Sequence, residues 1–334
     1  MDIILFLKKY KLNNNNFNNI KYYLENYLKH KNNLKLFYKN DKKFRKLAFD
    51  TNFLFCNIMS DFMKELYGLN TFDISNKLIF KNIKNSFGEI NNKLNQDGYF
   101  ITNIDEKICD NIVKKLDNFK FIDRITNKLL NYKDINKNKK YGNTFWINKM
   151  SDVLNTNEII NLITDTTLLQ IVQNFLGCKP ILTQTNLWKS INNSFDDIKL
   201  SKSAQLFHRD FDNEKWLKIF IYLNDININN GPHCYVKGSQ NKIINNKITR
   251  ESDNFIKNNY NPNDIIYHCG KKGTVIFENT RGYHKGTPVI NDERLILQLE
   301  FAINPYCFKG CGDNFNLLNN NKFIKKNPYI YKLI

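Results

Sequence analysis

The stretch from Ala204 to Arg294 constrains the fold of this chain more than any other part of it. His208 and Asp210 lie two residues apart at the end of an apolar run, and His284 ends a second strand-like run. On a β-strand, residues i and i+2 point to the same face, so the first two side chains can reach one metal ion. The spacing therefore predicts strands that bring a small metal-binding group together.

With His284, the pair would form a set of two histidines and one carboxylate. Such a set occupies one face of an octahedral Fe(II) ion and leaves the other positions open for a cosubstrate and O₂. Arg294 follows His284 by ten residues in a strand-like run. A guanidinium group is a natural bidentate partner for a carboxylate such as the far end of 2-oxoglutarate. Composition alone produces about half a His-x-acid match, so only the joint pattern indicates this site.

Three further segments carry a resemblance to a known family. Residues 230–240, NGPHCYVKGSQ, resemble a turn-strand-turn of the phytanoyl-CoA dioxygenase family of Fe(II)/2-oxoglutarate oxygenases. Residues 97–101, DGYFI, and 175–180, FLGCKP, are similar to the opening strand and to a helix-to-strand step of that family. Gln240 stands where the family usually has histidine, which lies outside the metal set. The resemblance covers roughly residues 87–305.

The resemblance implies an enzyme, a dioxygenase that hydroxylates a small organic molecule or conjugate. It implies that His208, Asp210 and His284 bind Fe(II) and that Arg294 forms a salt bridge with 2-oxoglutarate. O₂ is the second cosubstrate, and ascorbate is an accessory candidate. Halide-inserting relatives lack the carboxylate, so Asp210 favours hydroxylation. An oxygenase acting on nucleic acid or protein, and a cupin-like metal protein without oxygenase activity, are the alternatives.

Two neighbouring positions have weaker arguments. In residues 216–223, the face that carries Phe220 would pack beside the cosubstrate if it looks into the barrel. Thr287, or a nearby backbone amide, would add a hydrogen bond to the cosubstrate carboxylate. Relatives often have serine two positions after the distal histidine, where this chain has Gly286.

Helical patterns come first in the chain and short strands dominate after residue 200, which is typical of a β-sandwich or barrel capped by helices. The resemblance makes this a mainly β core, a double-stranded β-helix (jelly roll, cupin-like) flanked by α-helices. We expect a helical extension over residues 1–85, the oxygenase domain over 86–305 and a tail over 306–334. Strands are predicted at residues 99–102, 180–189, 204–207, 216–223, 234–236, 274–277, 283–286 and 294–301.

The walls of the site are less certain from the sequence. Residues 141–150, which include Trp146, are either a pocket wall or a half-buried connector. Asn186 or Trp188 can reach the site if the register allows it, whereas His233 is interpreted as a structural histidine. Insertions at the position of residues 241–272 often cover a pocket mouth.

The formal net charge of +18 indicates either an anionic partner or compositional drift. Drift is the favoured interpretation because the lysines are scattered and Asn, Ile and Tyr are also abundant. An anionic small-molecule substrate follows from the first interpretation, and nucleic acid is a less favoured partner. Only six of the 50 basic residues are arginine, which draws attention to Arg294 and Arg281. Neither substrate identity nor oligomeric state can be read from these patterns.

A cytoplasmic, reducing location is expected. No apolar run is long enough for a membrane span, and residues 3–7 are too short for a signal peptide because two lysines follow them. The seven cysteines contain no Cys-x-x-Cys pair, so we expect free thiols. Cys307 and Cys311, with His268 and Cys269, do not have a standard zinc-site spacing.

Overall fold

The computed structural model describes residues 1–304, except for residues 32–36, 38–43, 75–78, 81–82, 84, 138–142, 155, 193–203, 243 and 245–248. The predicted tail over residues 306–334 and the cysteines at 307 and 311 therefore lie outside the described residues.

Antiparallel strands in the described residues form two sheets, which together make the predicted double-stranded β-helix core. The larger sheet has eight strands in the spatial order β1 (Tyr99–Asn103), β9 (Thr274–Glu278), β6 (Trp216–Tyr222), β11 (Glu293–Ala302), β5 (Ile181–Ile191), β4 (Thr144–Ile147), β2 (Lys120–Asp123) and β3 (Leu129–Asn131). The smaller sheet has the order β10 (His284–Gly286), β7 (His233–Val236) and β8 (Ile265–His268).

The two faces of β6 separate the outer core from the interior of the barrel. Leu217, Ile219 and Ile221 belong to the main hydrophobic core, which the sheet shares with the surrounding helices. Phe220 and Tyr222 point the other way and pack in a second cluster with Trp188, Ile226, Ile276 and Ile296. This is the alternation that a period of two dictates for a strand buried on both sides.

Helices pack around both sheets, and the last of them lies against the smaller sheet, where Ile256 joins Cys234 and Val236 in one cluster. Their bounds are α1 (Ile3–Leu7), α2 (Asn14–His30), α3 (Phe44–Asp50), α4 (Leu54–Tyr67), α5 (Phe87–Gln96), α6 (Glu106–Val113), α7 (Met150–Leu154), α8 (Asn157–Ile163), α9 (Thr166–Leu176) and α10 (Asp253–Asn259). None of the helices in this described part of the chain combines the length and the apolar character needed to cross a lipid bilayer.

Capping residues set the ends of the helices before the barrel. Ser86 and Glu89 form a capping box at the start of α5, and Asp105 caps α6. Asp165 accepts a hydrogen bond from the Leu168 amide at 3.0 Å and so begins α9. Gly177 ends α9 with φ +79°, a left-handed conformation that glycine adopts without steric cost.

The N-terminal helices and the sheet share one hydrophobic core. The Tyr23 hydroxyl on α2 donates to Glu214 Oε1 at 2.7 Å, and both residues are buried. The rings of Phe80 and Phe277 lie 6.1 Å apart, which joins the same segment to β9. The boundary at residue 85 stays a prediction, because apolar contacts continue across it.

Two parts of the predicted strand pattern are wrong. Residues 204–207 form no strand, since Ala204 has φ 57° and only isolated bridges follow at Phe207 and His208. The strands β2, β3, β4 and β8 were not predicted. Strand β4 pairs with the edge of β5, β2 pairs with β4, β3 pairs with β2, and β8 pairs with β7, so pairing with a neighbour rather than an apolar alternation of their own holds these strands in the sheets.

Candidate metal centre and its cavity

His208 and His284 are held opposite each other by their own backbones. The amide of His208 donates to the carbonyl of His284 at 3.0 Å, and the reverse bond is 2.9 Å long. Two residues later, the amide of Asp210 donates to the carbonyl of Thr280 at 2.9 Å. The i, i+2 spacing thus places three side chains on one side of a paired segment.

The three side chains converge into one group of possible ligands. One donor atom from each lies within 4.8 Å of the others, and all three residues are buried. Nε2 of His284 lies 3.3 Å from Asp210 Oδ2, and Nε2 of His208 lies 3.9 Å from Oδ1. This is the arrangement that a single metal ion requires of its protein ligands.

Backbone carbonyls fix the tautomers of both imidazoles. Nδ1 of His208 donates to the Leu206 carbonyl at 2.9 Å, and Nδ1 of His284 donates to the Gly282 carbonyl at 3.0 Å. Burial also lowers the pKa of His208 well below its usual value, so this ring is neutral. Both Nε2 atoms are therefore lone-pair donors turned toward Asp210, as metal-binding histidines are.

A buried lysine neutralises the carboxylates around this group. Lys218 Nζ on β6 lies 2.6 Å from Asp210 Oδ2, 2.7 Å from Asp212 Oδ2 and 3.4 Å from Glu300 Oε2. Burial opposes the charge on Lys218, but the three carboxylates raise its pKa well above the usual value. Burial raises the pKa of Glu300 to about 7. Lys218 thus holds the Asp210 carboxylate in a fixed orientation.

A cavity of about 500 Å³ opens beside these residues. Trp146, Asn186, Trp188, Phe220 and His233 line it, which settles that the segment containing Trp146 is a wall and that β5 reaches the site. The other lining residues are Arg124, Thr144, Gln184, Ala204, His208, Asp210, Asp212, Lys218, Arg250, His284, Gly286, Arg294, Ile296 and Gln298.

Arg294 on β11 is a buried cation that faces the cavity. Its Nη1 donates to the carbonyls of Gly231 and, at 3.1 Å, Thr287, while Nη2 lies 3.2 Å from Ser190 Oγ. Its Nε has no partner, and no acid among the described residues forms an ion pair with it. Burial lowers its pKa to about 10, so the group stays charged at neutral pH. An anionic ligand would complete this site.

Gly286 makes room for that guanidinium group. A Cβ atom at this position would lie 2.6 Å from Arg294 Nη2 and 3.1 Å from its Cζ. Any side chain, including the serine that relatives often have here, would need Arg294 to move. The departure from the family pattern therefore has a steric reason in this chain.

The hydroxyl of Thr287 has a hydrogen-bond partner within the protein. Its hydroxyl donates to the Pro232 carbonyl at 2.7 Å, and the residue is not among those that line the cavity. Its carbonyl, rather than its hydroxyl, contacts Arg294. Thr287 therefore contacts Arg294 through its carbonyl, and a hydrogen bond from Thr287 or a nearby backbone amide to the cosubstrate stays a prediction.

His233 is at once a structural histidine and a cavity residue. Its Nε2 contacts the Glu278 carboxyl at 2.9–3.0 Å, and its ring lies 4.4 Å from that of Phe220. Burial lowers the pKa of His233 well below its usual value and raises that of Glu278 to about 8. No pattern in the sequence connects the two residues, which lie 45 positions apart.

Arg124 and Arg250 also line the cavity, and the sequence interpretation missed both. The signal that could have found them is the scarcity of arginine in a lysine-rich chain. That same signal pointed to Arg281, whose guanidinium packs 4.2 Å from the centre of the Phe53 ring and lies outside the cavity lining.

Comparison with known protein families agrees with the metal-site interpretation of this cavity. The family model described as phytanoyl-CoA dioxygenase (PhyH) matches residues 94–294, which include the whole metal-binding group and Arg294. No curated protein matches the chain.

Solved structures with similar chains include three that contain a bound metal ion. The epimerase SnoN in complex with Fe3+, alpha ketoglutarate and nogalamycin RO is 14% identical, with a TM-score of 0.47, over 69% of this chain and 88% of that one. HygX from Streptomyces hygroscopicus with nickel and 2-oxoglutarate bound is 12% identical, with a TM-score of 0.46, over 64% and 86%. EctD from S. alaskensis with bound Fe is 12% identical, with a TM-score of 0.42, over 68% and 82%.

Proposed function

The chain belongs to the phytanoyl-CoA dioxygenase family of Fe(II)- and 2-oxoglutarate-dependent oxygenases, and from this we propose that it hydroxylates a small organic molecule in the cavity beside His208. His208, Asp210 and His284 bind the Fe(II) ion in this proposal, and Arg294 binds 2-oxoglutarate. The observation that carries it is the juxtaposition of three buried metal-ligand atoms with a buried arginine that has no acidic partner.

The donor set suits the ion. Two neutral imidazole nitrogens and one carboxylate on the same side leave the remaining positions of an octahedral Fe(II) free. Bound Fe(II) supplies the oxidising chemistry, in which 2-oxoglutarate and O₂ are converted to succinate and CO₂ and one oxygen atom enters a substrate C–H bond.

The protein's own groups position the reactants. The carbonyls of Leu206 and Gly282 keep both imidazoles in the tautomer that presents Nε2, and Lys218 holds Asp210 Oδ2. Arg294 offers a bidentate guanidinium group for the far carboxylate of the cosubstrate. Because each of these groups is already held by a second partner, little reorganisation is needed on binding.

The substrate side of the cavity supports a small molecule. A volume of about 500 Å³ is typical of small-molecule sites. Trp146, Trp188, Phe220 and Ile296 supply apolar walls, and Asn186 supplies an amide Nδ2 without a partner in the described residues. Such a mixture binds an organic substrate and orients it by a few polar contacts. The presence of Asp210 supports hydroxylation over halide insertion.

The location of the protein is a further proposal. Cys56, Cys109, Cys178, Cys234 and Cys269 are free thiols. Free cysteines are the rule in reducing compartments. They support the cytoplasmic, reducing location expected from the sequence.

An anaerobic titration tests the proposed function. Fe(II) and then 2-oxoglutarate are added to the metal-free protein, and the visible charge-transfer absorption of the iron-oxoacid chelate is followed. We expect the band in the wild type and in His30→Ala, a histidine variant on α2 outside the cavity, and its loss in His208→Ala. Iron binding without a band would favour the cupin-like alternative, and a full band in His208→Ala would refute the ligand assignment.

A further inference from the structure

Arginine is concentrated around this cavity. Arg124, Arg250 and Arg294 line it, and these are half of the six arginines in a chain whose basic residues number 50. A random set of residues as large as the lining would contain about 0.3 arginine. Arg294 is accounted for by the cosubstrate, so two guanidinium groups have no role in the proposed function.

Neither of these two guanidinium groups is neutralised by an acid. Both side chains line the cavity, and within the described part of the chain neither Arg124 nor Arg250 forms an ion pair with an aspartate or glutamate. The Asp210 carboxylate, which is in electrostatic range of Arg250, is already paired with Lys218. The cavity therefore presents positive charge that the protein does not balance.

Aromatic rings hold Arg124 at one end of a continuous wall. Its guanidinium lies 4.6 Å from the centre of the Trp146 ring, and Trp146 stacks on Trp188 at 5.2 Å with an interplanar angle of 15°. Trp188 in turn contacts Phe220 edge-on at 6.3 Å. A guanidinium stacked on a ring keeps its N–H edge free for an anion. The same rings offer a flat apolar surface.

We propose that the substrate is a small organic anion, with an anionic group bound by Arg124 and Arg250 and an apolar body packed against Trp146 and Trp188. A carboxylate and a phosphate monoester share the oxygen geometry that guanidinium groups bind. This proposal rests on the proposed function and adds the chemical class of the substrate. The scattered lysines of the surface play no part in it.

Matched probes in calorimetry test the proposal. The protein is loaded with Mn(II) and 2-oxoglutarate, which occupies Arg294 without turnover, and is then titrated with naphthalene-2-acetate, 2-naphthyl phosphate and the neutral naphthalene-2-acetamide. We expect at least one of the anions to bind about tenfold or more tightly than the amide, as a charge-assisted hydrogen bond implies. The preferred anion distinguishes a carboxylate substrate from a phosphate ester.

The variants Arg124→Gln and Arg250→Gln should each reduce the preference for the anion and leave the affinity for the amide within about twofold. Lys46→Gln on α3 removes one positive charge outside the cavity and should change neither affinity. Equal binding of anions and amide would overturn the proposal, as would an unchanged preference in both arginine variants.

Failure of this proposal can be separated from failure of the proposed function. If neither anion binds while 2-oxoglutarate titrates normally, the anion site is refuted and the oxygenase assignment is unaffected. If 2-oxoglutarate itself does not bind to the Mn(II)-loaded wild type, the assignment of function falls and the substrate proposal falls with it.

Discussion

Lys218→Met is the substitution whose effect follows most directly from the structure. Methionine is close to lysine in length, so the change removes the ammonium charge and leaves little void. Asp210, Asp212 and Glu300 then remain in the interior without the cation that lies 2.6–3.4 Å from each of them. Breaking a buried ion pair by removing one partner costs about 3–5 kcal/mol. We expect a loss of about 4 kcal/mol in the free energy of unfolding at pH 8.

The loss in the free energy of unfolding caused by Lys218→Met should be smaller at acidic pH. Burial already raises the pKa of Glu300 to about 7, and loss of the Lys218 charge should raise it further, so the folded variant binds more protons than the unfolded chain. Stability of the variant therefore falls as pH rises through this range and recovers as pH falls. If the folded variant binds one proton more than the unfolded chain over about 2.5 pH units, its free energy of unfolding changes by roughly 3 kcal/mol across that range. We expect the destabilisation to shrink by about 2 kcal/mol or more between pH 8 and pH 5.5.

Urea unfolding of the metal-free proteins at both pH values measures this difference. Lys189→Met is the matched control, because Lys189 is similarly buried but its ion-pair partner is the partly exposed Glu293, at 2.7 Å, and its other charge contact is the Tyr132 ring at 4.5 Å. It should cost less and vary little with pH. Adding Mn(II) should stabilise Lys218→Met more than the wild type, since the cation replaces the missing charge. A pH-independent loss no larger than that of Lys189→Met would refute the reasoning.

Four other expectations concern single groups. Arg294→Ala should raise the 2-oxoglutarate concentration for half-maximal succinate formation by about tenfold or more with metal affinity unchanged; an unchanged requirement would contradict its role. Gly286→Ala should raise that requirement too, because Cβ would lie 2.6 Å from Arg294 Nη2, whereas a wild-type requirement would show that the arginine has room to move. Thr287→Val should cost about 1 kcal/mol in urea unfolding and leave the requirement within about threefold, since its hydroxyl bonds Pro232; a larger kinetic effect would restore the hydroxyl to the cosubstrate site. Glu278, whose pKa burial raises to about 8, should contribute a decline in stability as pH rises from about 4.5 toward 8, opposed at the acid end by His208 and His233, whose pKa values are lowered; Glu278→Gln should remove this decline, and the same pH dependence in variant and wild type would contradict the assignment.

The placement of the metal-binding group could be predicted from the sequence because it depends on local rules. The i, i+2 spacing places His208 and Asp210 on one side of the chain, although an isolated bridge to His284 and a bond to Thr280, rather than the predicted strand, hold them there. The two faces of β6 follow from the same period. The jelly-roll class followed from the order of helices and strands together with the family resemblance.

What could not be predicted depends on register between distant strands. Lys218 meets Glu300 because the two residues are direct partners in the pairing of β6 with β11. Such a one-residue register has no local sequence signal. The sequence interpretation proposed a hydrogen bond from the Thr287 hydroxyl to the cosubstrate, whereas in the structure this hydroxyl donates to the Pro232 carbonyl. Trp146 lies in the wall of the cavity only because strand β4 pairs with the edge of β5, where Trp146 is opposite Trp188.

The backbone bridge between His208 and His284 links the abundance of the folded protein in a cell to the supply of the metal ion. These residues are 76 positions apart, so the site exists only after a long loop has closed and both sheets have formed. The unfolded chain offers no comparable group of ligands, so a bound ion stabilises the folded state by mass action, by about 2.7 kcal/mol at a concentration 100 times its Kd. Abundance of the protein should then follow iron supply, since a larger unfolded fraction in iron-starved cells is more exposed to proteases.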